Sequence, residues 1–306
     1  MQTVLGANGQ IAEELTRYLH DNVTDDLRLV SRNPSKVHET DQLFIANLLD
    51  AEATAAAVAG SDIAYLTVGL PIDSTLWEQQ FPTMMANTIA ACQKHDTKLV
   101  FFDNTYMYPR TPTPQVEDTP FEPSGRKATV RAQIATMLLK EMNAGTIEAV
   151  ICRAPEFYGP GKTKSLTNAA VFDRIKHGKR PMIPLNAHTR RTLIWTPDAS
   201  HGMGLIGNTP DAYGQTWHLP IDPQRMTYAD MIQIASSVTG KKISYTTVPE
   251  ALFKLGGLFN SAVKEASELL PRYRADNIFD SSKFAARFPE FKATTYRQGI
   301  TELLEQ

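Results

Sequence analysis

A tight glycine turn stands at the head of the chain: Gly6-Ala7-Asn8-Gly9-Gln10-Ile11-Ala12 follows the short run Gln2-Thr3-Val4-Leu5 and opens a segment with Ile11, Leu15 and Leu19 at helical spacing. Few arrangements satisfy a strand that passes through glycines directly into a helix. Gly6 permits the turn, Gly9 lets a ligand approach the backbone, and the small Ala12 lets the helix pack closely on the sheet. The first turn of such a helix offers N–H groups without intrahelical partners and a partial positive charge, which together suit a phosphate. The GxxGxxA pattern in this position predicts that Gly6, Asn8, Gly9, Gln10 and Ile11 hold the pyrophosphate of a dinucleotide.

The rest of the chain extends that unit. Short apolar runs at Gln2 to Leu5, Leu27 to Val30, Leu43 to Ala46, Ile63 to Val68, Lys98 to Phe102 and Glu148 to Cys152 alternate with longer segments of helical period at Ala51 to Ala59, Phe81 to Cys92 and Ala128 to Met142. Strands alternating with helices predict an α/β fold with a doubly wound parallel sheet of Rossmann type. Beyond Arg153 the Gly/Pro-rich stretch Ala154 to Gly161 can be neither helix nor central strand and marks a loop. Thr192 to Trp195 and Thr216 to Leu219 read as further strands, and Thr227 to Val238, Pro249 to Phe259 and Ala262 to Leu270 as helices. The expected organisation is a dinucleotide-binding domain over residues 1–155, completed by late strands near 191–220, and a smaller, mixed, mainly substrate-binding region over residues 156–306.

Charge and composition remove several function classes. With 31 Lys+Arg against 33 Asp+Glu the formal charge is −2, so no electrostatic footprint for nucleic acid is present. No run of about 20 apolar residues could span a membrane, and the N-terminus lacks the basic and apolar regions of a signal peptide, so a cytoplasmic protein is expected. The two cysteines, Cys92 and Cys152, sit in separate apolar segments without a CxxC or clustered His. They read as core packing, and no metal site is expected.

The tip of the second strand bears on the choice of dinucleotide. An acidic residue there holds a free ribose 2′-hydroxyl, whereas a 2′-phosphate calls for a cation and hydroxyls. This chain has Ser31 and Arg32 at that point. One charge-assisted hydrogen bond from Arg32, about 1.5 to 3 kcal/mol, would give roughly a 10- to 150-fold preference for NADP over NAD. NADP(H) is therefore the expected cofactor, NAD(H) the alternative; Arg32 as a solvated loop residue is the competing reading.

Taken together these segments resemble the extended short-chain dehydrogenase/reductase superfamily of NAD(P)-dependent epimerases, dehydratases and reductases. The likeness includes Asn47-Leu48 after the third strand, where the family often has Asp-Leu near the adenine, and Thr67-Val68-Gly69 after the fourth. Arg153 to Gly161 is similar to the family's R-x-x-x-x-YGPG loop, Thr192 to Asp198 to a late strand with its following Asp, and Phe279 to Lys283 with Tyr296 and Gly299-Ile300 to its closing segment. The resemblance implies cofactor contacts from Asn47, Leu48, Val68 and Gly69. It also implies catalysis by a Ser or Thr after the fifth strand, with Tyr and Lys four apart on the next helix. That spacing places the ammonium on the phenol's face, where it lowers the phenol pKa and holds the nicotinamide ribose.

The catalytic set departs from this pattern. Asn104 falls at the Ser position and Lys127 at the Lys position, but Pro123 stands four residues before Lys127, where the tyrosine belongs. The string Tyr158-Gly159-Pro160-Gly161-Lys162 matches YxxxK only on paper, since Gly-Pro-Gly cannot form the helical turn that would bring its ends together. A positioned general acid contributes about 10² to 10⁴ in rate, so another group must supply the proton or the reaction is slow. Tyr106 is the replacement candidate, the alternative being that Tyr106 and Tyr108 pack a pocket wall. Asn104 can still donate to a substrate oxygen, and Lys127 either clamps the ribose or faces solvent.

On the substrate side Tyr108, Tyr158, Arg190 and Arg191 are the candidates. Arg191 lies seven residues before Asp198, the spacing at which nucleotide-sugar members of the family contact a diphosphate. The arginines could equally be a surface pair, and Asp198 reads as the cap of a helix starting at Ala199. The apolar segment Leu252 to Phe259 could be a lid, a subunit interface in a homodimer, or core. The expected function is NADP(H)-dependent reduction of a carbonyl or activated alkene of a small molecule. The alternatives are a nucleotide-sugar epimerase or dehydratase, and a catalytically degraded NADP(H)-binding redox sensor.

Overall fold

Four consecutive buried residues, Gln2-Thr3-Val4-Leu5, form the strand on which the first half of the molecule is built. A computed structural model describes residues 1–305, apart from the side chain of Ala262. In chain order its elements begin β1 (Gln2–Leu5), α1 (Gln10–Asn22), β2 (Leu27–Ser31), β3 (Gln42–Ile45), α2 (Ala51–Val58), β4 (Ile63–Leu66), α3 (Ser74–His95), β5 (Lys98–Asp103), α4 (Arg126–Asn143) and β6 (Ala149–Arg153). They continue with β7 (Glu156–Tyr158), α5 (Asp173–Lys176), β8 (Met182–Pro184), β9 (Leu193–Trp195), α6 (Thr196–Gly207) and β10 (Thr216–His218). The chain closes with α7 (Tyr228–Thr239), β11 (Thr246–Val248), α8 (Glu250–Phe259), α9 (Ser261–Ser267), α10 (Ser282–Arg287) and α11 (Tyr296–Glu305).

The central sheet has seven strands in the order β10-β6-β5-β4-β1-β2-β3, with every pairing parallel. The order reverses at β1 and β4, and their carboxyl ends are where such sheets leave a crevice. Strands buried on both faces read as continuous apolar runs, and β4, β5 and β6 do so. Of the two late strands expected to complete the sheet, only β10 joins it. Leu193–Trp195 pairs with β7 as a separate two-stranded sheet, because Pro155 ends β6 and lets the chain leave the main sheet before β7.

Two units are distinguished within the chain. The first comprises Met1–Met107, Phe121–Ala154 and Ala199–Leu219, and the second Tyr108–Pro120, Pro155–Asp198 and Pro220–Gln306. They interleave along the sequence: Ala199–Leu219, within the late segment expected near 191–220, groups with the first unit, and Tyr108–Pro120 groups with the second. The core of the first unit joins Leu5, Val30, Leu66, Phe101 and Ile151 from the sheet to Phe81, Met85 and Leu138 from α3 and α4. That of the second gathers Tyr158, Phe172, Trp195, Tyr228 and Tyr296. Both cysteines are buried, as expected of core residues.

Two helices differ from the sequence reading in ways that matter. Helix α3 begins at Ser74, not near Phe81, because Asp73 caps it by accepting from the Leu76 N–H at 2.9 Å. Helix α8 has no buried residue, and Leu252, Leu255, Leu258 and Phe259 are all more than half exposed, which removes the core reading of that segment. No helix among the described residues is long and apolar enough to cross a membrane.

Candidate functional site

The glycine loop is built around close packing of β1 against the end of β4. Gly6 has φ +97°, and a Cβ placed there would come within 2.8 Å of the Val68 backbone nitrogen. Only glycine fits both the left-handed backbone and the approach. Thr67 fixes Val68 in place, since its N–H and its hydroxyl both donate to the Leu5 carbonyl, at 2.9 and 3.0 Å. Gly9 then stands at the N-cap of α1 and, having no side chain, gives the helix no side-chain cap.

Asn8 joins this loop to the tip of β2. It has φ +75°, its amide donates to the Asn33 carbonyl at 2.6 Å, and its side-chain carbonyl accepts from the Ser35 N–H at 3.0 Å. Sequence reasoning assigned Asn8 to the cofactor; in the structure both of its polar ends hold the segment after Arg32. Ser31 accepts from the Asn33 N–H at 3.1 Å, which tightens the same turn. Arg32 is exposed and makes no hydrogen bond or ion pair among the described residues. Gln10 is half-buried, Ile11 is buried with its carbonyl accepting from Ser200 at 3.1 Å, and Gly69 is exposed with open space around it. Asn47 is exposed, while Leu48 is buried and its carbonyl accepts from Asn87 at 2.9 Å. These residues fit a dinucleotide: an uncapped helix N-terminus beside two glycines, and at the tip of β2 a cation in place of a carboxylate.

The catalytic candidates lie at the end of β5 and the start of α4. Asn104 has its side-chain carbonyl committed to the Tyr106 N–H at 3.0 Å. Its amide nitrogen makes no hydrogen bond among the described residues, so the group is presented as a donor. Tyr106 is half-buried and its ring lies parallel to that of Trp77, centroids 6.2 Å apart and planes 8° from parallel. Trp77 is held by its indole N–H on the Pro71 carbonyl at 2.7 Å.

Lys127 is fully buried, contrary to the solvent-facing reading, and donates to the Ser74 hydroxyl at 2.7 Å. Its neighbour Arg126 grips Glu78 through two hydrogen bonds of 2.7 and 2.5 Å. The first turn of α4 thus carries two cations and no acid, against the preference of a helix N-terminus, and each cation is tied to the first turns of α3. Violations of this kind concentrate where a site requires them.

Beneath Asn104 lies a group that sequence reasoning missed. Asp103 is fully buried; it accepts from Arg131 at 2.5 and 3.0 Å and from Arg153 at 3.1 Å, and its Oδ1 also accepts from the Asn104 N–H at 2.8 Å. Arg131 is flanked by the rings of Phe81 and Phe101, each 5.3 Å from its guanidinium carbon. Paired and hydrogen-bonded, the buried charges hold the backbone that carries Asn104. Ser74 and Trp77 were missed as well, although the Asp73 cap signal could have extended α3 far enough to find them.

The second unit holds the substrate candidates. Arg191 is buried, not half of a surface pair: it donates to Glu156 at 3.2 Å and to the Arg272 carbonyl at 2.5 Å, with its guanidinium 4.1 Å from the centre of the Tyr273 ring. Arg190 is exposed, because neighbours on an extended segment point to opposite sides. Tyr158 and Tyr108 are buried, Tyr158 stacking on Tyr296 at 5.6 Å, and the turn from Tyr158 to Lys162 is not helical. Asp198 lies inside the first turn of α6 and does not cap it. Its carboxylate accepts from the Thr294 N–H at 2.6 Å and hydroxyl at 3.0 Å, and burial pushes its pKa up to about 6 despite those bonds.

Comparison with known proteins places this geometry among relatives. The model of the NAD dependent epimerase/dehydratase family matches residues 2–219. The fold is similar to that of UDP-glucuronic acid 4-epimerase from Bacillus cereus in complex with NAD, with TM-score 0.80 and 13% identity, covering 100% of this chain and 99% of that one. It is similar to UDP-glucose 4-epimerase from Thermus thermophilus in complex with NAD, with TM-score 0.77 and 14% identity over 100% and 98% of the two chains. The dTDP-glucose 4,6-dehydratase DesIV of Streptomyces venezuelae aligns with TM-score 0.79 and 13% identity over 100% and 96%. A curated relative, the uncharacterized protein y4nL of Sinorhizobium fredii, is 29% identical over 147 residues, 48% of this chain and 40% of that protein's length.

Proposed function

Because the chain belongs to the NAD dependent epimerase/dehydratase family, we propose that it is a nicotinamide-dependent enzyme of epimerase/dehydratase type, with NADP(H) as its preferred cofactor and NAD(H) as the alternative. The observation that carries the cofactor reading is the Asn8 joint. Through Asn33 and Ser35 it sets the glycine loop and the Ser31-Arg32 tip of β2 in one frame, with no carboxylate at that tip. Gly6, Gly9 and the α1 N-terminus would receive the pyrophosphate, Arg32 and Ser31 the 2′-phosphate, and Asn47 and Leu48 the adenine side. When bound, the nicotinamide supplies or accepts a hydride at a substrate carbon that bears oxygen.

The residues at the end of β5 then orient that substrate. Asn104 donates its amide to the substrate oxygen, in the manner of a preorganised electrostatic contact. Tyr106 delivers the proton, its ring steered by Trp77, and Lys127 holds the ribose hydroxyls. The solved neighbours are named as epimerases and dehydratases of UDP- and dTDP-sugars, which favours a nucleotide-sugar substrate here.

Two observations favour a second reading, net reduction of a carbonyl or activated alkene. Transient oxidation of a hydroxyl needs a base on that hydroxyl, and Pro123 occupies the family's position for it. The commitment of Arg191 to Glu156 points the same way, since it takes from the site the arginine expected on a diphosphate.

Thermal denaturation with NADP⁺, NADPH, NAD⁺ and NADH tests the common part. A ligand at 100 times its Kd stabilises by about 2.7 kcal/mol, so both NADP forms should raise Tm clearly. No shift with any of the four rejects the proposal. Turnover of UDP- and dTDP-sugars against carbonyls and enones separates the two reactions, and tight binding without any turnover indicates a sensor.

A further inference from the structure

Away from the crevice, α1 ends against the loop between β2 and β3, and three potential metal ligands meet there. His20 stands in the last turn of α1, Asp21 follows it, and His38 comes from the loop. The two imidazoles lie face to face, with centroids 3.8 Å apart and planes 10° from parallel, and His20 Nδ1 is 3.0 Å from the Asp21 carboxylate. One ligand atom from each of the three residues lies within 4.8 Å of the other two.

The loop is built to hold His38 in this place. Asp41 is 3% exposed, and its Oδ2 accepts from the Val37 N–H at 2.8 Å and the His38 N–H at 2.7 Å. Two polar atoms nevertheless remain buried with no hydrogen bond among the described residues: His38 Nδ1 and Asp41 Oδ1. A polar atom buried in this way is costly to leave without a partner. The imidazole nitrogen carries a lone pair that a cation would engage.

We propose that His20, Asp21 and His38 bind a single divalent transition metal, with zinc the ion best matched to them. Imidazole nitrogen with one carboxylate suits zinc, nickel or copper, whereas calcium and magnesium want more oxygen ligands. Zinc–nitrogen bonds of about 2.0 to 2.1 Å put tetrahedral ligand atoms roughly 3.4 Å apart. Closing from the present spacing requires the rings to turn out of their stack. His20 and Asp21 have room to do so, their side chains being 29% and 66% exposed. Water completes the coordination, and the buried Asp41 adds negative charge behind His38. The ion clips the end of α1 to the loop that carries Arg32.

The test uses the full chain with any affinity tag removed, and zinc alone as the probe. Isothermal titration should show one zinc per chain, with Co²⁺ giving the visible absorption of a nitrogen-ligated tetrahedral site. His20→Ala and His38→Ala should each weaken zinc binding by about tenfold or more. His20→Gln and His38→Gln, which keep the packing volume, should behave alike, and metal-free Tm checks that every variant folds. Absence of zinc binding by the wild-type chain overturns the proposal, as does equal binding by folded His20→Gln/His38→Gln protein.

Discussion

Lys127, in the first turn of α4, gives a 2.7 Å hydrogen bond to the hydroxyl of Ser74 in the first turn of α3, and both side chains are buried. An ammonium in such a place depends on each of its acceptors. Ser74→Ala should destabilise the protein by about 1.5 to 3 kcal/mol, measured by urea denaturation, because the bond lost is to a charged donor. Lys127→Met, which removes the charge with the bond and keeps the length, should be less destabilising than Ser74→Ala while weakening cofactor binding. The reverse ranking in stability would mean that Lys127 holds the fold and not the ribose.

Arg32 should matter to one phosphate only. Arg32→Ala is expected to weaken NADPH binding about tenfold or more and to leave NADH nearly unchanged, by titration calorimetry. Equal losses for the two would place Arg32 outside any 2′-phosphate contact.

Tyr106→Phe isolates a single proton. If Tyr106 is the donor, the variant should lose at least about a hundredfold in kcat with little change in cofactor Kd, since the ring and its alignment with Trp77 are retained. Turnover at the wild-type rate would return Tyr106 to the role of pocket wall.

Gly6→Ala should prevent folding or destabilise by several kcal/mol, because the new methyl meets the Val68 backbone in a left-handed conformation. Gly69→Ala, with nothing within 4 Å of the added carbon, is the matched control and should fold normally. Circular dichroism melts distinguish the two directly.

Asp198 gives the second unit a pH dependence of its own. Burial raises its pKa in the folded protein to about 6, whereas the unfolded chain releases that proton near pH 4. The folded state therefore binds more protons between those values. The stability this confers, on the order of 2 to 3 kcal/mol, is complete below about pH 4 and is lost as pH rises through about 6. Asp198→Asn should flatten that part of a stability profile; an unchanged slope would show that other groups produce it.

Local chemistry made much of the first unit legible. The glycine turn, the buried runs of β4, β5 and β6 and the periodicity of α1 each follow from residues within a few positions of one another, and so does the absence of an acid after β2. Three features were not legible, for a common reason. Asp103, Arg131 and Arg153 form one charged group across 50 residues, and no pattern in the sequence ties an aspartate at the end of β5 to an arginine inside α4. Arg190 and Arg191 read as a pair, yet an extended backbone sends one to solvent and buries the other against Glu156. Leu193–Trp195 has the composition of a central strand, but pairing is decided by where the preceding chain has gone, and Pro155 had already turned it away from the sheet.

The strand order β10-β6-β5 also has a consequence for synthesis on the ribosome. The outer edge of β6 pairs with β10, which follows about 60 residues later. At roughly 5 to 20 residues per second, a nascent chain carries that row of unpaired amides and carbonyls exposed for about 3 to 12 s. Through that interval β6 is an adhesive edge open to other chains, so slowed translation between Arg153 and Thr216 should raise the aggregated fraction without altering the finished fold.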